Sequence, residues 1–132
     1  MTLETQVPAL LFGAKPEVRD GVFVLVGGEI PTQLRQLGSV TTNGVRAIIL
    51  SKVQADSAGL RYPFAASWIT VRIHSSVKAQ RLTDTVVSAL DSAGIRCVVV
   101  AGYAHNHLFV PENRTLEALA VLTAISGGGA FI

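Results

Sequence analysis

The feature that most constrains the fold is an order of elements that occurs twice in 132 residues. Val22-Phe23-Val24-Leu25-Val26 is rich in β-branched and aromatic residues and is bounded by Gly21 and by Gly27-Gly28, so it reads as a buried strand. Glu29-Ile30-Pro31 then opens a short segment to Leu37 in which Leu34 and Leu37 share one helical face, with Gly38 as its stop. Residues 39–42 and 45–50 flank Asn43-Gly44, the strongest dipeptide signal for a two-residue hairpin. Ser51 is placed to cap a helix over 52–58 that Gly59 ends.

The second half follows the same order. Residues 67–73 alternate, with Ile69, Val71 and Ile73 on one face and Trp68, Thr70 and Arg72 on the other. A helix capped by Ser75 or Ser76 runs to Ala93; Leu82, Val86, Ala89, Leu90 and Ala93 form its apolar stripe and Gly94 is its stop. Residues 95–102 and 107–110 read as strands joined by a short turn near Ala104. Residues 113–126 read as a helix with Leu119, Leu122 and Ile125 inward, ended by Gly127-Gly128-Gly129. Residues 1–20, with Pro8, Gly13 and Pro16, discourage long regular structure, and Leu10-Leu11-Phe12 reads as a short turn or strand packed on the rest.

Both halves therefore read β-α-β-β-α, and the strand at 67–73 closes the first unit while it opens the second. The expected class is α+β: two fused ferredoxin-like βαββαβ units, 1–64 and 65–132, with antiparallel sheets covered by helices on one face. The second unit lacks a full final strand, so the units complement each other or a partner chain completes it.

Composition narrows the function. Charged residues make up 15% of the chain, against roughly 25% in average soluble proteins, while 49% are apolar and mean hydropathy is +0.46. So apolar a chain is expected to hide surface in a homodimer or higher homo-oligomer. A net charge of +2 and 6% aromatic content argue against nucleic acid, which needs a basic surface and stacking platforms. A single cysteine excludes an internal disulfide, a structural zinc site of the thiolate type and an iron–sulfur cluster, and Cys97 among valines reads as a small core residue. The N-terminus carries Glu4 where a secretory signal would be positive, and apolar runs such as 22–26 and 97–101 are far shorter than a membrane span. A cytoplasmic protein without membrane contact or cofactor is expected.

The chemistry-bearing residues cluster at one edge. Where the strand at 67–73 ends, its helix begins and the following hairpin turns, the chain gathers His74, Ser75, Ser76, Tyr103, His105, Asn106 and His107, including all 3 histidines. A helix N-terminus favours a carboxylate through its free N–H groups and dipole. Ser75 and Ser76 are thus expected to hold an α-carboxylate, with Asn106 and strand carbonyls accepting from the ammonium. The equivalent loop of the first unit is Gly27-Gly28-Glu29, whose glycines let a ligand approach the backbone; Glu29 itself reads as an exposed loop acid. Plainer roles stand beside these. Ser75 and Ser76 are also ordinary helix caps, and Tyr103 either closes a pocket or packs at a strand end. His74, His105 and His107 offer three imidazoles to zinc or another divalent ion, or bond the hairpin, or line a dimer contact. Trp68 and Arg72 point away from the apolar stripe and suit an inter-unit or inter-subunit surface. Gly127-Gly128-Gly129 follows a helix and is no phosphate loop.

Three segments carry a resemblance: Trp68-Ile69-Thr70-Val71-Arg72-Ile73-His74-Ser75-Ser76-Val77, Gly94-Ile95-Arg96-Cys97-Val98-Val99-Val100-Ala101-Gly102-Tyr103, and His105-Asn106-His107-Leu108-Phe109-Val110-Pro111. They resemble a bacterial family of small tandem ACT-like proteins whose second domain belongs with the ACT domains that bind amino acids. The resemblance covers most of 22–124 and is specific at 73–76 and 105–111. Gln80-Arg81 stand where the family typically has Val-Gly, and Tyr103-Ala104-His105-Asn106-His107 where it often has Tyr-Tyr-His-Asp-His. The resemblance implies a non-enzymatic regulatory protein that binds an amino acid or similar small carboxylate at a unit or subunit interface. Two other classes remain: an interaction module docking through a sheet edge or the Trp68 face, and a metal- or histidine-dependent enzyme at His74, His105 and His107.

Overall fold

A computed structural model describes residues 16–42, 44–72, 79–101 and 105–126. The elements are β1 (Glu17–Val18), β2 (Phe23–Gly27), β3 (Gly38–Thr42), β4 (Val45–Ser51), α1 (Lys52–Ser57), β5 (Ala66–Arg72), α2 (Ala79–Ser92), β6 (Val98–Ala101), β7 (His105–Pro111) and α3 (Thr115–Ser126), the last entered through one 3-10 turn at Glu112–Arg114. The strands form a single seven-stranded sheet in the order β3-β4-β2-β5-β7-β6, with β1 also on β5. Every pairing is antiparallel. The architecture is thus a mixed α/β one with an antiparallel sheet running continuously through both halves, where the sequence led us to expect the sheets of two units.

β1 and β2 follow the same edge of β5. Val18 lies opposite Ile69 and Phe23 opposite Ala66, so the chain carries two extra residues between the pairings and bulges away from β5. Gly21, at φ 108°, takes the left-handed backbone that the bulge needs. Arg19 N–H still donates to the Trp68 carbonyl at 2.9 Å, which ties the bulge to the strand.

Local signals form what their chemistry dictates. Thr42 pairs with Val45 around Asn43-Gly44, and Gly44 sits at φ 77°. Ser51 Oγ accepts from Gln54 N–H at 3.3 Å and caps α1. Gly94, at φ 73°, ends α2, and Arg114 covers that helix end by donating to the carbonyls of Gly94 at 2.7 Å and Ala93 at 3.2 Å. The expected helix up to Leu37 does not form. The segment makes one turn, with Leu34 N–H donating to the Pro31 carbonyl at 3.2 Å, and Leu37 N–H then donates to the Ile49 carbonyl beside β4 at 2.9 Å. A stretch this short cannot repay helix nucleation. The Gln54 side chain offers the competing partner: its Oε1 accepts from Arg35 N–H at 2.8 Å and its Nε2 donates to the Arg35 carbonyl at 3.4 Å. Leu34 and Leu37 then pack into different clusters, on opposite faces of the sheet.

Strand alternation divides the core. Val24, Val26, Ile48 and Leu50 pack with Ala55 of α1. Ile69, Val71, Leu108 and Val110 pack with Val86 and Leu90 of α2 and with Ala118, Leu122 and Ile125 of α3. These positions share the helix-covered face. The opposite face is also apolar and buried, with Phe23, Leu25, Ile49, Ala66, Trp68 and Phe109 in one cluster. Trp68, read from the sequence as a surface for a neighbouring unit or subunit, is 7% exposed. Its ring meets Phe23 at 5.3 Å and Phe109 at 5.0 Å between centroids, so it joins the two halves inside the chain. β6 begins at Val98, three residues later than expected, and the Ile95 N–H donates instead to the Leu90 carbonyl at the end of α2 at 2.9 Å. No helix among the described residues is long and apolar enough to cross a membrane.

Candidate functional site

The period of two along β7 decides which of the anticipated residues can meet. Asn106 shares its face with Leu108 and Val110, lies opposite Val71 and Ala101, and is buried at 2% exposure on the helix side. His105 and His107 share the other face with Phe109 and are half-buried. His105 and Asn106, anticipated as one ligand site, are therefore on opposite faces of the sheet. His74, Ser75, Ser76 and Tyr103 lie outside the described residues.

Gly27 and Gly28 are at the far end. β2 runs away from its Phe23–Ala66 pairing, whereas His105 pairs with Arg72 at the other end of β5. At about 3.3 Å per residue the two places are on the order of 30 Å apart along the strands. Gly28, at φ 83°, needs its glycine for the backbone turn. A Cβ at either position would meet nothing within 4 Å, so the space beside both glycines is open.

What the structure does assemble is a polar cluster around Trp68. Thr70 pairs with His107 on one side and Glu17 on the other. Trp68 Nε1–H donates to His107 Nδ1 at 3.1 Å, and Thr70 Oγ1 lies 3.2 Å from the same nitrogen. An indole nitrogen can only donate, so Nδ1 holds a lone pair and the neutral ring carries its proton on Nε2. The indole and the His107 ring meet edge to face at 5.6 Å and 88°. The His105 ring lies nearly parallel to that of His107, 6.3 Å away at 18°. The Arg19 guanidinium stands over the indole, 4.4 Å from its centroid. Burial, and after it the charges of His105 and Arg19, hold the His107 pKa below the ordinary histidine value.

Arg19 and Thr70 were not legible as site residues. Arg19 reaches Trp68 only through the bulge, and the need of the indole N–H for an acceptor follows only once the structure buries Trp68. Cys97 packs against the helix-side cluster. Burial, opposed by a backbone hydrogen bond at Phe109, pushes its thiol up to about 11, so it stays protonated at neutral pH and is no ready nucleophile. Among the described residues no three His, Cys, Asp or Glu side chains converge as a metal set.

No protein-family model matches the sequence, and no curated protein matches it. Solved structures do. A protein of unknown function from Vibrio cholerae, described as a possible transport protein, superimposes with a TM-score of 0.77 at 27% identity, over 92% of this chain and 97% of that one. The ligand-free regulatory subunit of aspartate kinase from Thermus thermophilus gives 0.60 at 11% identity, over 81% of this chain and 92% of that one. The corresponding subunit from Thermus flavus gives 0.59 at 9% identity, over 85% and 97%. The fold is therefore ACT-like, the class to which these regulatory subunits belong. At such identities the likeness to them is one of fold.

Proposed function

We propose that the chain is a regulatory, non-enzymatic ACT-type module that binds an amino acid or a similar small carboxylate at a unit or subunit interface and works as a homo-oligomer without nucleic acid. The observation that carries this reading is the likeness of fold to aspartate kinase regulatory subunits over more than four-fifths of this chain. The sheet order supports a tandem arrangement. The order β3-β4-β2-β5 has the ferredoxin-like order of strands for one unit. The order β6-β7-β5, with β1 beside β5, has it again for the second. On this reading units 1–64 and 65–132 meet at β5, with β1 from the first half filling the final strand position of the second. Ser75 and Ser76, just ahead of α2, are the proposed carboxylate holders. The protonated Cys97 and the engaged Nδ1 of His107 support regulation over catalysis.

Thermal unfolding against the twenty amino acids and common small carboxylates at millimolar concentration tests the proposal. A ligand at a hundred times its Kd stabilises the fold by roughly 2.7 kcal/mol, which raises Tm by about 8–13 °C. A selective rise that Ser75→Leu or Ser76→Leu abolishes is the expected result. No rise with any of them overturns the ligand-binding reading in favour of an interaction module. A rise with a divalent metal alone overturns it in favour of the histidines.

A further inference from the structure

The face of the sheet opposite the helices carries a group of side chains that are cationic or can take a proton. The Arg19 guanidinium stands over Trp68 at 4.4 Å and over Phe23 at 5.6 Å, a cation–π contact that holds it here while its N–H groups have no acceptor among the described residues. The ion pairs among those residues are Lys52–Asp56 and Arg114–Glu117. Glu17, beside Thr70 in the same cross-strand row, makes none with Arg19. His107 has spent Nδ1 on Trp68 and so presents Nε2–H as a donor. His105 stands parallel to it, and the Thr70 hydroxyl is close to the shared nitrogen. Arg19 and His107 thus flank one indole, and three groups that carry or can take positive charge gather on one face with ordered donors.

We propose that Arg19, His105 and His107, with the Thr70 hydroxyl, form a binding site for an oxyanion, the carboxylate or phosphate group of a small molecule. The site is on the opposite face from Asn106 and is independent of the helix N-terminal site proposed above. A planar guanidinium held in place binds two oxygens at once with little further ordering. Charge-assisted hydrogen bonds from the imidazoles add to this as the anion draws protons onto them. The same site repels cations, since Arg19 and His105 already oppose a charge on His107.

The test uses the full chain and two probes, inorganic phosphate and acetate, with ionic strength held constant by sodium chloride. The imidazole signals of His105 and His107 are titrated by NMR with and without each probe. Bound oxyanion raises the His107 pKa, because it replaces repulsion by attraction. Arg19→Gln and His105→Gln, two variants at side chains outside the packed core, each weaken binding about tenfold or more. Glu17→Gln strengthens it by removing the one carboxylate in the row. A response to phosphate alone assigns a phosphate ester, and a response to both probes assigns a general oxyanion site. A His107 pKa that neither probe moves, or binding that neither Arg19→Gln nor His105→Gln changes, overturns the proposal. Amino-acid stabilisation that survives in both variants while oxyanion binding is lost is the expected result, since the two sites are independent; a failed oxyanion titration leaves the regulatory reading standing.

Discussion

Trp68→Phe isolates one interaction at the centre of the sheet. The substitution keeps an aromatic ring between Phe23 and Phe109 and deletes the Nε1–H that meets His107 at 3.1 Å. Loss of one such hydrogen bond costs about 1 kcal/mol net. The smaller ring, at a position 7% exposed, leaves unfilled volume worth about another 1 kcal/mol. A fall in stability of about 2 kcal/mol follows, or roughly 6–10 °C in Tm for a chain of this length. A second consequence separates the bond from the packing. In the native protein the His107 pKa lies below its ordinary value because of burial, then His105, then Arg19. The unfolded chain therefore binds more protons once pH drops below about 6.5, and stability falls with pH until the folded-state pKa is passed. A proton on Nδ1 would also face the Trp68 N–H. With phenylalanine there this opposition disappears, the His107 pKa rises, and the acid loss of stability shrinks. Guanidinium unfolding of both proteins between about pH 5 and 8 should show the gap between them narrowing toward acid, with the NMR pKa of His107 higher in the variant. A gap that stays constant over this range, with equal His107 pKa values, would refute the claim that the Trp68 N–H adds to burial, His105 and Arg19 in holding His107 neutral.

Other expectations are simpler to read. Ser51→Ala removes the acceptor for Gln54 N–H at the start of α1 and should cost about 1 kcal/mol in chemical denaturation. Gly94→Ala forces a Cβ onto backbone at φ 73° and should cost about 1 kcal/mol or more, with α2 fraying at its end in hydrogen exchange. Leu122→Ala empties a fully buried position on the inner side of α3 and should cost about 2–5 kcal/mol. Cys97, its thiol pushed up to about 11, should react slowly with a maleimide at neutral pH in the folded protein and fast once unfolded.

These local expectations and the fold share a cause. Where a structural choice is settled by residues close in sequence, it was legible: the Asn43-Gly44 hairpin, the Ser51 cap, the stripe through Val86 and Leu90, and the stop at Gly94. Where a distant group decides, it was not. The segment ending at Leu37 has helical spacing, yet Gln54 offers its backbone a better partner 19 residues away. The short β1 gave no strand signal because two residues carry no period, and its place depends on β5. One non-local matter is visible in the pairing alone: β5, the strand read at 67–73, pairs with β2 on one side and β7 on the other.

The candidate site shows what a list of nearby polar residues leaves out. His105, Asn106 and His107 are consecutive, and a loop could turn all three into one pocket. Inside a strand it cannot, because the alternation that buries Leu108 and Val110 under the helices also commits Asn106 to that side. The same alternation places His105 and His107 with Phe109 and Trp68. A ligand that reads Asn106 approaches from the helix side, and one that reads the histidines approaches from the other face, past Arg19. The two faces are thus chemically independent, and substitutions at His105 and at Asn106 act on different sites. An effector that responded to both would have to work through the sheet itself, by moving β7 relative to β5 and its Thr70–His107 and Val71–Asn106 pairings.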